Sequence, residues 1–271
     1  MKMNPPANSL SFIVFFNSLG KSTIGFVSNL GAATLFFAKS FVMIFRPKQL
    51  PEIIQQVYHI GARSSAIVML VGLFTGMVLG LQLYYVFAKL GSEGLLGSVI
   101  GFALIRELGP VLAAIMITAR AGSAMTAEIA ILRISEQVDA LYTMRIDPIE
   151  YVISPRIAAS IISFPLLTAF FDLIGILGGY LTGVVLLGAS GATYFNRVQS
   201  SVDLFDIRGG FIKTLVFAAI VSTICCFQGY FTHMRSDSHG AKSVGLSTTS
   251  AVVLSCVMIL IADYVVTSFL M

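Results

Sequence analysis

The sequence predicts an all-α membrane protein: an N-terminal interfacial helix or helices, then five transmembrane helices, with a short cytoplasmic helix between the second and third. Three observations carry that prediction. Hydrophobic residues make up 56% of the 271 positions and charged residues only 11%, too greasy a balance for a soluble domain. Several stretches reach the roughly 20 apolar residues that cross a bilayer core as helix. The lysines and arginines between those stretches lie mostly on one side.

Residues 1–63 form the N-terminal segment. Phe12–Phe16 and Leu30–Phe45 are apolar but interrupted by Lys21 and Lys39, and Arg46-Pro47-Lys48 breaks the pattern. The segment reads as helices lying in or entering the cytoplasmic interface; one extra spanning helix is the alternative. A lone Lys2 and the lack of a small-residue cleavage pattern argue against a signal peptide. Gly20-Lys21-Ser22-Thr23 imitates the end of a P-loop. Phe15 stands where that motif needs glycine and no strand precedes it, so nucleotide binding is rejected here.

Residues 64–271 form the transmembrane domain, with spans at roughly 64–88, 95–131, 153–189, 209–232 and 247–270. Ser64–Ala88 holds 25 residues without Asp, Glu, Lys, Arg or His. The second span carries Arg106, Glu107, Arg120 and Glu128 and exceeds what one straight crossing needs, so a tilted helix projecting into the cytoplasm is expected. The third carries Asp172, and Pro165 predicts a kink in it. The fourth and fifth carry one charge each, Lys213 and Asp263.

With a cytoplasmic N-terminus, that side holds Lys2, Lys21, Lys39, Arg46, Lys48, Arg63, Arg133, Arg145, Arg156, Arg235 and Lys242. The other side holds Lys89, Arg197 and Arg208. The asymmetry places residues 133–156 and 233–245 in the cytoplasm, residues 89–94 and 190–208 outside, and the C-terminus on the outer side. The net charge of +4 fits this bias rather than nucleic-acid binding. Gly72, Gly76 and Gly80, and Gly175, Gly179 and Gly183, are four-residue ladders of the kind that let helix backbones approach in lipid.

Ionisable groups inside spans are costly and mark candidate sites. Glu107 follows Arg106 in IRELGP, three residues before Pro110, which can weaken the helix locally. Adjacent helical residues point about 100° apart, so Arg106 and Glu107 do not share a face. Together they fit either an internal ion pair or the polar lining of a substrate cavity. Lys213 and Asp263 sit at similar depth and are placed to pair, although Lys213 could instead snorkel outward. Asp172 lies mid-span. Arg120 and Glu128 read as fasteners between helices. His59, His233 and His239 form no metal-ligand set, and Cys225, Cys226 and Cys256 read as packing residues. No catalytic constellation appears, which argues against an intramembrane enzyme.

RISEQVDALYTMRIDP, residues 133–148, concentrates charge in a chain that avoids it. Ser135 is a candidate N-cap, and Glu136 suits a helix N-terminus. Val138, Leu141, Tyr142, Arg145 and Ile149 follow helical spacing, and Pro148 ends the helix at Asp147. The expectation is a three-turn amphipathic helix that inserts into a groove on a partner.

Three stretches resemble the MlaE (YrbE) family of ABC-transporter permeases: Arg106–Arg156, Gly245–Ser255 followed by Asp263, and VGLFTGMVLGLQLYY at Val71–Tyr85. The resemblance covers about residues 60–271. It implies a homodimeric permease in a bacterial inner membrane. Implied partners are an MlaF-like ATPase that carries ATP and magnesium, an MlaB-like STAS protein and an MlaD-like periplasmic MCE protein. The implied cargo is phospholipid, moved between the inner membrane and the MCE protein to maintain outer-membrane asymmetry.

By the same resemblance, residues 135–148 form the coupling helix, with Glu136, Val138, Asp139, Leu141, Tyr142, Arg145 and Asp147 facing the ATPase. The positions of Tyr84, Glu107, Lys213 and Asp263 are then expected to lie around the lipid cavity or to be intramembrane polar positions near it. Leu79 and Leu83 are then expected to hold acyl chains, and Arg106, Glu107 and Leu108 to face the headgroup. No catalytic residue, metal or cofactor is expected on this chain. The rival class is an ion-coupled secondary transporter using Glu107, Lys213 and Asp263 as a relay.

Overall fold

A computed structural model describes residues 31–44, 49–234 and 240–270, with Gly20, Ile24 and Ser28 as isolated positions. Phe12–Phe16, most of the P-loop imitation (Lys21–Thr23), Arg46–Lys48, Arg235 and His239 lie outside the described residues. Every regular element among the described residues is helical: α1 (Gly31–Ile44), α2 (Leu50–Lys89), α3 (Glu93–Ile134), α4 (Gln137–Thr143), α5 (Ile149–Leu186), α6 (Gly191–Ser201), α7 (Leu204–Tyr230) and α8 (Ala241–Leu270). The five predicted spans correspond to α2, α3, α5, α7 and α8, each long and apolar enough to cross a membrane.

The described stretch of α1 is about 21 Å long at 1.5 Å per residue. It packs on the bundle end that carries α4. Phe36 is buried against Phe227, Tyr230 and Phe231, and Lys39 pairs with Asp147 at 2.8 Å. Helix α2 begins at Leu50, so the helix of the first span runs back across position 63 into the N-terminal segment.

The two glycine ladders meet each other. A side-chain carbon on Gly76 would overlap the Gly175 carbonyl, and one on Gly80 would come within 3.0 Å of the Gly179 carbonyl. Gly72 stands the same way against the backbone of Phe171. Helices α2 and α5 therefore touch backbone to backbone, as the ladders predict.

Pro165 leaves α5 α-helical from Ser154 to Tyr180. The helical interruptions fall elsewhere, as π-turns at Tyr58–Ala62 in α2, at Leu104–Leu108 and Thr118–Gly122 in α3, and at both ends of α5. Such turns insert a residue into the ladder and swing side chains off the ordinary helical register.

Helix α6 lies within the segment 190–208, for which the sequence predicted a side of the membrane but no helix. Ser190 caps it by accepting from the Thr193 N–H. Tyr194 and Val198, four residues apart, fill the hollows left by Gly97 and Gly101 of α3. The Tyr194 hydroxyl donates to the Ile176 carbonyl at 2.9 Å. With 11 residues and one apolar stripe, α6 lacks the hydropathy of a span, but the Ser cap and that spacing are legible signals.

Candidate functional site

Lys213 of α7 is the centre of a polar cluster inside the bundle, with a side chain only 2% exposed. Its Nζ lies 2.5 Å from Glu107 Oε2 and 3.0 Å from Asp263 Oδ1. The Asp263 contact is an ion pair without hydrogen-bond alignment, since Oδ1 is otherwise unpartnered. Nζ also donates to the Arg106 carbonyl at 3.0 Å. Sequence explains why that carbonyl is free: Pro110, four residues on, has no N–H to give it. One proline thus frees an acceptor for a buried cation. Lys213 does not snorkel outward, because the two carboxylates and this carbonyl satisfy its ammonium in place.

Glu107 and Arg106 sit in the π-turn Leu104–Leu108 and go to different partners, as their angular separation predicts. Arg106 lies 3.7 Å from Asp206 Oδ1 and stacks over the Phe102 ring at 5.0 Å. Asp206 also closes a capping box with Asp203 at the start of α7. Sequence reasoning passed over Asp206, placing residues 190–208 only as an outer segment between spans. The Asp-x-x-Asp pattern ahead of an apolar run was the available signal.

Leu108 adjoins the cluster in the same π-turn. Leu79, Leu83 and Tyr84 lie on α2, partly buried against the core. None of these three lines the space beside the cluster, which measures about 10 Å³ and is bounded by Arg106, Glu107, Phe205, Asp206, Lys213 and Thr267, among others. A single chain therefore encloses no room for an acyl chain at that point.

Asp172 is not part of this cluster. Its Oδ1 is buried without a protein partner, tucked against Gly109, where a side-chain carbon would overlap it. Thr168, one turn away, also has an unpartnered hydroxyl, and both border a cavity of about 30 Å³. Arg120 and Glu128 are fasteners between helices, as expected. Arg120 donates to Ser64 Oγ of α2 at 3.0 Å, and Glu128 pairs with Arg156 of α5 at 3.0 Å.

At the α4 end the charge cluster of residues 133–148 resolves largely into internal pairs. Arg133 holds Asp139 at 2.7 Å, stacks on Tyr230, and donates to His233 Nδ1 at 3.0 Å. Helix α4 has two turns rather than three. Ser135 is not its N-cap; the Ser135 hydroxyl donates back to the Ile131 carbonyl and ends α3. Glu136 takes the N-cap position with a left-handed backbone, φ 59°. Arg145, φ 61°, stops the helix before Pro148 can. The Ile146 N–H reaches the Leu141 carbonyl and the Arg145 N–H the Tyr142 carbonyl, a Schellman ending with arginine where glycine is usual.

The apolar stripe of α4 faces its own bundle. Val138 is 1% exposed and Leu141 is partly buried. Tyr142 is half-exposed, and its hydroxyl shares a 2.8 Å hydrogen bond with that of Tyr230. The outward face presents Glu136, Asp139, Met144 and Arg145.

Burial and the Arg133 charge lower the pKa of His233 below its ordinary 6.5. The neutral ring is therefore the form that belongs to the folded chain. Its contribution is present above about pH 6.5 and is lost as pH falls toward the lowered folded value. Backbone amides of α4 are expected to exchange faster at pH 5 than at pH 7.5, after correction for intrinsic rates, and His233→Gln should flatten that difference. Hydrogen exchange by mass spectrometry measures it.

The sequence profile described as Permease MlaE matches residues 53–269, nearly all of the five spanning helices and both polar regions just described. The chain belongs to the MlaE permease family. A probable ABC transporter permease protein of Rickettsia felis is 42% identical over 252 residues, 93% of this chain and 95% of that one. The intermembrane phospholipid transport system permease protein MlaE of Haemophilus influenzae is 38% identical over 260 residues, 94% of this chain and 97% of that one. The chloroplastic protein TRIGALACTOSYLDIACYLGLYCEROL 1 of Arabidopsis thaliana is 38% identical over 216 residues, 80% of this chain and 60% of that one. The MlaE family match and the five apolar helices make the chain a multi-pass membrane protein of the permease type.

Proposed function

We propose that this chain is the membrane subunit of an ABC transporter that moves phospholipid between a bacterial inner membrane and a periplasmic MCE protein, sustaining outer-membrane lipid asymmetry. The family match across residues 53–269 carries the reading, and the Haemophilus relative's name supplies the cargo. ATP would be hydrolysed on a separate MlaF-like chain, with an MlaB-like STAS protein alongside and an MlaD-like MCE protein at the opposite face. In this orientation the N-terminus and α4 are cytoplasmic and the C-terminus is periplasmic, as the lysine and arginine bias suggests.

Two copies would assemble so that Leu79, Leu83 and Tyr84 of each line a shared acyl-chain cavity, with Arg106, Glu107 and Leu108 toward the headgroup. The small space beside the cluster in one chain supports the need for a second. ATP-driven closure of the ATPase pair would push α4, and its rigid seat on Val138 and Tyr230 would carry that push into α3 and α7.

The exposed face of α4 gives the test. Glu136→Lys combined with Met144→Glu changes two exposed side chains on the outward face of α4. The variant is expected to stay monodisperse in detergent yet lose co-purification with the ATPase. Undiminished co-purification would sink the assignment of α4 as the coupling helix. The ion-coupled alternative predicts lipid movement that collapses with the proton or sodium gradient and ignores ATP.

A further inference from the structure

A second polar cavity lies between α2 and α3 at the α4 end, away from the Lys213 cluster. It measures about 170 Å³ and is lined by Gln56, His59, Arg63, Arg120, Met125 and Glu128, among others. One water needs about 10–15 Å³ of such space, so the cavity suits a group of several heavy atoms. Arg63 and Arg120 have no carboxylate partner among the described residues. Arg63 leans on the Tyr58 ring at 5.9 Å, and Arg120 donates only to Ser64 Oγ. Glu128 contributes one oxygen to Arg156 and keeps a side chain that is 56% exposed.

Depth limits what can balance those guanidinium groups. Arg63 immediately precedes the uncharged run Ser64–Ala88, and Arg120 is tied to Ser64 itself. Both cations therefore stand at the edge of the hydrocarbon, where lipid phosphates lie. The local backbone points the same way. His59 and Ile60 belong to the π-turn of α2, and Arg120 and Ala121 to the π-turn Thr118–Gly122 of α3. Each helix breaks its register where it contributes to this cavity, a pattern frequent at functional sites.

The geometry points to a headgroup site: Arg63 and Arg120, with His59, hold the phosphate of a phosphoethanolamine-type lipid, and Glu128 takes its ammonium. Guanidinium is well matched to phosphate oxygens, and a carboxylate beside it accepts from a primary ammonium. A zwitterionic headgroup satisfies all three charges at once, whereas a purely anionic one places its negative charge near Glu128. The site would select lipid from the leaflet at the α4 end before it reaches the bundle interior. This inference rests on the phospholipid reading above and adds to it a place and a headgroup.

The full chain, purified in detergent, would be given an equimolar mixture of phosphatidylethanolamine, phosphatidylglycerol and diacylglycerol with identical acyl chains. Retained lipid is read by native mass spectrometry. Wild type should retain phosphatidylethanolamine above phosphatidylglycerol. Arg63→Gln should weaken retention of both phospholipids about tenfold relative to diacylglycerol, the loss of one charge-assisted contact. Arg63→Lys should restore part of that loss. Glu128→Gln, whose amide oxygen can still accept from Arg156, should erase the preference for ethanolamine while leaving phosphatidylglycerol retained. Arg63 is exposed and makes no ion pair among the described residues, so its variant tests the site without threatening the fold. Phospholipid retention that is identical in wild type, Arg63→Gln and Glu128→Gln overturns the site and leaves the transport reading standing. A wild type that takes up no phospholipid, yet binds inorganic phosphate in an Arg63-dependent way, overturns both.

Discussion

Replacing Lys213 with methionine is expected to destabilise the chain more than any other single change in its polar interior. The substitution removes the ammonium and leaves Glu107 and Asp263 facing one another, together with an Arg106 carbonyl that Pro110 cannot serve as the ordinary i+4 donor. Breaking a buried ion pair by removing one partner costs about 3–5 kcal/mol, because the remaining charge keeps its desolvation penalty. Glu107 is 37% exposed and softens this, so the lower part of that range is the expected value. Thermal unfolding followed by size-exclusion chromatography in detergent reads the effect. The triple variant Glu107→Gln, Lys213→Met, Asp263→Asn has no unbalanced charge and should recover most of the stability. Lipid transport then separates the two meanings of the cluster. A stable but inactive triple variant makes the charges functional. A stable and fully active one makes them packing alone. A Lys213→Met chain as stable as wild type would refute the ion network itself.

Gly76→Leu should separate α2 from α5. Even the first side-chain carbon overlaps the Gly175 carbonyl, and no rotamer moves a backbone atom aside. Overpacking costs about 1–3 kcal/mol in ordinary cores, and a clash against backbone belongs at or beyond the upper end. Gly76→Ala should show a smaller loss of the same sign. Gly245 in α8 supplies the control: it has nothing within 4 Å of a new side-chain carbon. Gly245→Ala should leave the chain unchanged or stabilise it by up to about 1 kcal/mol, the difference in helix propensity. Equal thermal stability of Gly76→Leu and wild type would mean that the ladders do not set the α2–α5 contact.

How much of this was legible in the chain differs from element to element. The five spans were, because the bilayer core demands length and apolarity that composition reports directly. The ladder contact was, because only small residues at four-residue spacing permit backbone approach. The match in depth of Lys213 and Asp263 was also readable, from residue counts alone. The π-turns were not, since a one-residue register shift leaves no periodic trace over so few positions. Helix α6 was obscured by its polarity, and the true length of α4 by two left-handed residues, Glu136 and Arg145, neither of them a glycine.

By itself, then, the sequence determined which segments are apolar and long enough to cross the membrane, which residues are too costly to sit there without purpose, and that a short helix lies between the second and third spans, though not its bounds. Those are one-dimensional properties: hydropathy, charge and local spacing act along the chain. Only the tertiary structure decided where each charge goes. It set Lys213 against Glu107, Asp263 and the carbonyl freed by Pro110, turned Val138 of α4 inward, and brought Arg63 and Arg120 to one cavity with no carboxylate paired to either among the described residues. Partners so far apart in sequence meet only through helix packing, and in a low-dielectric interior that meeting decides whether a charge stabilises the fold or waits for a ligand.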